Sequence, residues 1–348
     1  MIYSYIKYIL VLSGLLAFHS GVAQIVMANP INGMTFTLGK DGPRAGELEA
    51  LRELNCNWVA FVPVIFAEGE NFNLVQNQYT DWQGLTQDGL RSYIKYAKDL
   101  GFKVMVKPQI IIERQWPGII DFDKDEDWAL WESQYRRFIM DHIELANEEG
   151  VDLFCIGTEL KASATKRKSF WTDLIGEARK LYLGKVCYSA NWDNYDKIGF
   201  WSELDFIGIS AYFPLSNEPK VTKAELLDSW KKNVSKLRRY SIKKGKAIIF
   251  TEYGYRSAEG AVHKHWLIDD KPNDFKFDEE IQYLAFDALL SVFYSEAFWK
   301  GGFIWKWYSD SFPNPDPDGK DYTPQNKKAE EIISLWYNNY LERSHENH

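Results

Sequence analysis

Two glutamates sit at the ends of apolar runs of the kind that fold into buried strands. One run reads Cys155-Ile156-Gly157-Thr158-Glu159-Leu160, the other Ile249-Phe250-Thr251-Glu252-Tyr253-Gly254-Tyr255. A carboxyl group taken out of water needs a partner or a task. Two carboxyl groups brought to one bond can hydrolyse a glycosidic linkage. One donates a proton to the departing oxygen, and the other attacks the anomeric carbon or activates water. The general acid of such a pair needs a raised pKa and its partner a low one. For either glutamate alone, a buried ion pair is the competing reading.

Other apolar runs also end in polar and aromatic groups: Lys107-Pro108-Gln109, Asn191-Trp192-Asp193, Ala211-Tyr212-Phe213-Pro214 and Trp305-Lys306-Trp307. A sugar site combines hydrogen-bonding groups with an aromatic plate under the ring. Lys107, Asn191, Trp192, Tyr212 and Trp305 are therefore candidate substrate-binding residues. Tyr212 is suited to hydrogen-bond Glu252, and Trp305 to floor the subsite of the cleaved sugar. Core packing competes as a role for each tryptophan. Trp82, Trp116 and Trp266 lie in long connecting segments, as outer platforms or as loop anchors. Aromatic residues make up 16% of the chain, which suits either a heavy core or a sugar-stacking cleft.

Positioning these groups requires a scaffold, and the rhythm of the chain supplies one. Eight short apolar runs, Gly33–Leu38, Trp58–Val64, Val104–Ile110, Leu153–Leu160, Val186–Trp192, Phe206–Tyr212, Ala247–Tyr255 and Gly302–Tyr308, lack strict polar alternation. Strands buried on both faces read this way. Amphipathic segments lie between them. One is capped by Thr86, carries Leu90, Tyr93, Ile94 and Ala97 on one face, and stops at Gly101. Others centre on Trp128–Ile139, Phe170–Tyr182 and Tyr283–Phe293. The alternation predicts an α/β fold, a single-domain (β/α)8 TIM barrel over residues 24–348. An open doubly wound sheet would carry a Gly-rich turn after its first strand, and Gly33-Met34-Thr35-Phe36-Thr37 is not one. In such a barrel the fourth and seventh strands face each other across the mouth, so Glu159 and Glu252 can converge.

The remaining features set limits. Lys7 and the apolar run Tyr8–Phe18, followed by His19-Ser20-Gly21-Val22-Ala23, read as a signal peptide over residues 1–23 cleaved after Ala23. The expected destination is secreted or periplasmic, with no stable membrane association afterwards. A net charge of −8 without a dense basic patch argues against a nucleic-acid partner. Cys56, Cys155 and Cys187 read as buried free thiols rather than a disulfide framework. His263 and His265 are a weak metal signal, and neither a metal nor a cofactor is expected.

Taken in order and spacing, these stretches resemble glycoside hydrolase family 113, within the clan of retaining glycosidases whose glutamates lie on strands four and seven. The matching segments run from Gly33–Thr37 through Val104–Pro108, Ile156–Leu160, Ala190–Asp193, Asp205–Leu215 and Thr251–Ser257 to Gly302–Trp305. The resemblance implies β-mannanase-type hydrolysis of β-1,4-linked mannan, glucomannan or manno-oligosaccharides. It implies Glu159 as general acid/base, Glu252 as nucleophile, and retention through a covalent intermediate. Thr158 stands where many clan members place Asn, and Asn191 is the candidate to replace its contact with the sugar 2-hydroxyl. Gln109 stands where many relatives carry His. A same-clan enzyme for glucan or galactan, or a non-catalytic glycan-binding barrel, are the rival readings.

Overall fold

The computed structural model describes residues 30–75, 82–263, 274–313 and 315–345. Residues 1–23, on which the leader expectation rests, lie outside them, as do Trp266 and His265.

Eight parallel strands close a barrel: β1 Ile31–Thr37, β2 Trp58–Phe61, β3 Lys103–Val106, β4 Leu153–Thr158, β5 Lys185–Asn191, β6 Ile207–Ser210, β7 Ile248–Tyr253 and β8 Trp299–Tyr308. Each pairs with its neighbours in chain order, and β1 pairs with β8 to complete the ring. All eight apolar runs of the sequence are these strands. The (β/α)8 barrel expected from their rhythm is the fold.

Among the described residues the helices are α1 Glu49–Glu53, α2 Gln87–Asp99, α3 Asp125–Glu148, α4 Lys161–Lys166, α5 Lys168–Leu181, α6 Lys223–Lys244, α7 Glu279–Phe293 and α8 Ala329–His345. Local chemistry sets their ends. The Thr86 hydroxyl accepts from Gly89 N at 3.0 Å at the start of α2, and Gly101 follows that helix with φ +80°. Helix α6 was not singled out by apolar periodicity, yet it carries a full capping box, Thr222 with Glu225, and ends at Gly245 in the left-handed conformation. No α-helix follows β5; two short 3₁₀ turns, Tyr195–Lys197 and Trp201–Glu203, take its place. Among the described residues, no helix is long and apolar enough to cross a membrane.

Two cores result. Inside the barrel, Ile31, Ala60, Met105, Leu153, Cys155, Cys187, Ile249 and Phe303 fill the lumen. Cys155 and Cys187 are in register on adjacent strands, and all three cysteines are free and buried. The larger core lies between strands and helices. Trp131 stacks on Tyr135 at 5.0 Å and Trp171 on Phe200 at 5.5 Å. Trp131, Trp171, Trp201, Trp230 and Trp299 are fully buried. Most of the aromatic surplus therefore serves packing.

Gly208 on β6 illustrates how tight the barrel wall is. A Cβ there would collide with the Tyr188 carbonyl oxygen and lie 2.8 Å from Thr251 Cγ2. Backbone atoms cannot yield as a flexible side chain can. Gly208→Ala is expected to destabilise the fold by about 3 kcal/mol, read as a lowered urea midpoint with an unchanged m-value.

Above the strands' C-terminal ends the chain adds a feature the sequence did not suggest. Segments Val64–Glu68, Asn73–Val75 and Gln109–Ile111 form a separate three-stranded sheet. Its Gln109–Ile111 strand lines the cavity that also holds Glu252, and Gln109 bonds that glutamate.

Candidate active site

The site is assembled where strands lose their regular register. Between Cys155 and Thr158, three steps along β4 oppose two along β5, from Cys187 to Ser189. Between Phe250 and Glu252, two steps along β7 oppose one along β6, from Ile209 to Ser210. Each shift inserts one extra residue just before or at a candidate glutamate, and such bulges re-aim side chains. Glu159 itself has φ +56°, a left-handed conformation that is uncommon outside glycine. Its backbone N–H donates to Ser189 O at 2.8 Å, which holds it there. Beneath both glutamates the Ser189 hydroxyl meets those of Ser210 at 2.9 Å and Thr251 at 2.6 Å.

Glu252 is almost completely buried, at 5% exposure, and is surrounded by donors. The Lys107 ammonium and the Gln109 amide both donate to Oε1, the latter at 2.6 Å. The Tyr212 hydroxyl donates to Oε2 at 3.2 Å, the bond anticipated from the sequence. Burial, then the charge of Glu252, pushes the Tyr212 phenol well above its ordinary pKa, so it remains a donor.

Glu159 lies in a different environment. Its Oε2 accepts a hydrogen bond from the indole N–H of Trp116. Burial first, and the charge of Glu252 second, lift its pKa from 4.5 to about 7. Two carboxyl groups that feel each other's charge do not ionise independently. The result is a carboxyl group that holds its proton more tightly than usual beside one that accepts three hydrogen bonds.

Both glutamates line one cavity of about 550 Å³. Asn191, Trp192, Tyr212 and Trp305, four of the five expected substrate-binding residues, line it too. Lys107, the fifth, is fully buried behind Glu252. Its ammonium lies 4.8 Å from the centre of the Trp305 ring, so it supports the floor of the site rather than facing the cavity. The Asn191 side-chain oxygen accepts from Trp192 N at 2.8 Å, which orients its amide. Trp305 is joined to Lys306 by a cis peptide.

Of the lining residues that the sequence did not assign to the site, three contact its central groups. Gln109 is two positions beyond Lys107, and in an extended segment such residues share a face; that spacing was the available signal. Trp116 was expected as a platform or an anchor and instead bonds Glu159. Tyr322, which packs edge-on against Tyr212 at 5.9 Å, comes from the connection after β8 and carried no signal. Trp82 is an anchor: its indole donates to Leu38 O at 3.3 Å and its ring packs on Phe312.

The model of glycoside hydrolase family 113 matches residues 40–327. The chain belongs to glycoside hydrolase family 113. As a member of that family it is a glycoside hydrolase. Solved structures agree on the fold. The GH113 β-mannanase AaManA from Alicyclobacillus acidocaldarius, in complex with ManMIm, is 24% identical with a TM-score of 0.76, over 90% of this chain and 98% of that one. A GH113 β-1,4-mannanase complex is 22% identical with a TM-score of 0.75, over 89% and 99%. A β-glucuronidase from Ruminococcus gnavus shares the barrel at 14% identity and a TM-score of 0.58, over 89% of this chain and 50% of its own. No protein of curated function matches the sequence.

Proposed function

We propose that this family 113 member is a retaining β-mannanase-type hydrolase that cleaves β-1,4-mannosidic bonds in mannan, glucomannan or manno-oligosaccharides. The reading rests on one juxtaposition. Glu159, with its pKa lifted to about 7, shares a cavity with Glu252, held by Lys107, Gln109 and Tyr212.

In the first step the Glu159 proton moves to the glycosidic oxygen as the bond from C1 to that oxygen breaks. A Glu252 oxygen forms the new bond to C1. Water then enters; its oxygen bonds C1, the bond to Glu252 breaks, and a water proton returns to Glu159. Donors around Glu252 suit a group that starts and finishes as a carboxylate. The shifted pKa of Glu159 suits one that alternates between acid and base. Trp305, partly open to the cavity beside Glu252, is the plate for the sugar under attack, and Asn191 the partner of its 2-hydroxyl. The mannose preference is supported by the names of the two family 113 structures, both β-mannanases.

The test is hydrolysis of β-1,4-mannopentaose, cellopentaose, β-1,4-galactopentaose and an aryl β-glucuronide, followed by chromatography, with proton NMR of the first-formed anomer. The expected result is cleavage of the mannan oligomer with β-product appearing before mutarotation. Cleavage of only another glycan would overturn the mannose assignment. First-formed α-product would overturn retention, and binding without cleavage would overturn catalysis.

A further inference from the structure

The mechanism uses Glu159 as the proton carrier but does not explain which of its two oxygens carries the proton. Trp116 answers that. It lies on the connection after Gln109–Ile111, in extended backbone, just before the 3₁₀ turn Pro117–Ile119. The connection is pinned on both sides, by an antiparallel bridge between Ile112 and Gln115 and by the buried side chain of Ile120. The indole ring lies flat against Gly118. A Cβ on that glycine would clash with the ring at Cη2, Cζ2 and Cζ3. The Lys161 ammonium stands 5.9 Å from the ring centre, and it is held by Asp193 at 2.7 Å. A single tryptophan thus ties the β3, β4 and β5 connections together over Glu159.

An indole N–H donates and cannot accept. The oxygen that receives it, Oε2, must offer a lone pair. We propose that Trp116 is a positioning residue for the acid/base: by occupying Oε2 as an obligate donor, it places the transferable proton on Oε1 and holds the carboxyl plane in the orientation from which it is delivered. The inference rests on the glycosidase reading of Glu159.

The same bond favours the ionised form of Glu159 and so opposes burial and the charge of Glu252, which raise its pKa. Other groups face Glu159 from neighbouring elements. Lys107, after β3, lowers its pKa, and the Ser210 hydroxyl on β6 does likewise. Burial above all, with the Glu159 charge a lesser contributor, pushes Tyr188 on β5 and Tyr212 after β6 well above the ordinary phenol value, so they stay neutral as Glu159 titrates.

Trp116→Phe keeps the ring and removes the donor. Loss of one hydrogen bond to a charged group should raise the Glu159 pKa by about one pH unit. The direct measurement is ¹³C NMR of the glutamate carboxyls in the substrate-free protein, with the Glu159 signal identified from its absence in Glu159→Gln. The alkaline limb of kcat/KM should move in the same direction, with kcat falling more than KM changes. Gly118→Ala provides an independent variant, because it displaces the indole without deleting it and should shift the titration in the same sense. An unmoved Glu159 midpoint in folded Trp116→Phe overturns the inference. So does a raised KM with a static alkaline limb, the signature of a sugar platform. Because the NMR titration needs no substrate, it decides the role of Trp116 even if the chain hydrolyses no mannoside.

Discussion

Glu252→Ala is expected to reduce turnover of a β-mannoside on the order of 10⁴-fold or more, the scale seen when a covalent nucleophile is removed. The effect follows from position. Glu252 is the carboxylate on which Lys107, Gln109 and Tyr212 converge, and it opens onto the same cavity as Glu159. Added azide should then attack C1 directly from the face that Glu252 vacates, and the product should be an α-glycosyl azide. The alanine variant leaves the buried Lys107 ammonium without its partner, and breaking such a pair costs about 3–5 kcal/mol. Glu252→Gln retains the volume and one acceptor, so it serves as the folded companion. Retained activity in a folded glutamine variant would remove Glu252 from the nucleophile role. A β-azide from the alanine variant would reverse the two assignments.

Glu159→Ala should cost about 10²–10⁴-fold on unactivated mannan, the usual contribution of general acid–base catalysis. An aryl mannoside with a strongly acidic phenol needs no proton to depart, so its first step should lose far less. Its second step still needs a base, and the glycosyl-enzyme should accumulate as a burst. Azide should relieve that block and give a β-glycosyl azide, because it displaces Glu252 from C1 with a second inversion. The pH profile tests the same residue. Glu159 is raised from 4.5 to about 7, so the proton-bearing form is present below about 7 and is lost as pH rises through it. Wild-type kcat/KM should fall above that pH, and the limb should vanish in the Glu159 variant for the activated substrate. Equal losses on activated and unactivated substrates, with the limb unchanged, would contradict the acid/base role.

Much of this arrangement is legible in the residue pattern alone. Apolar runs without polar alternation predicted all eight strands, because a barrel strand is buried on both faces. Helices α2, α3, α5 and α7 were legible from one-sided apolar periodicity. Helix α6 is hard to read because its apolar stripe is thin beside many lysines, and its capping box is the better signal. Glu159 and Glu252 stood out because charged residues at the ends of buried strands demand a reason. The small sheet formed by Val64–Glu68, Asn73–Val75 and Gln109–Ile111 was not legible, since its short segments look like strand extensions or loop.

The sequence by itself determined the barrel, the end of it on which chemistry belongs, and the two carboxylates that could share a bond. Those follow from local periodicity and from the cost of burying charge. Only the tertiary structure decided that Lys107 supports Glu252 from behind, that Gln109 joins it on the same oxygen, and that Trp116 bonds Glu159. These contacts span 145, 143 and 43 positions of chain. They depend on register shifts of single residues and on the path of connections that have no periodicity. Local pattern carries no information about such distances, and closure of the barrel is what brings the groups together.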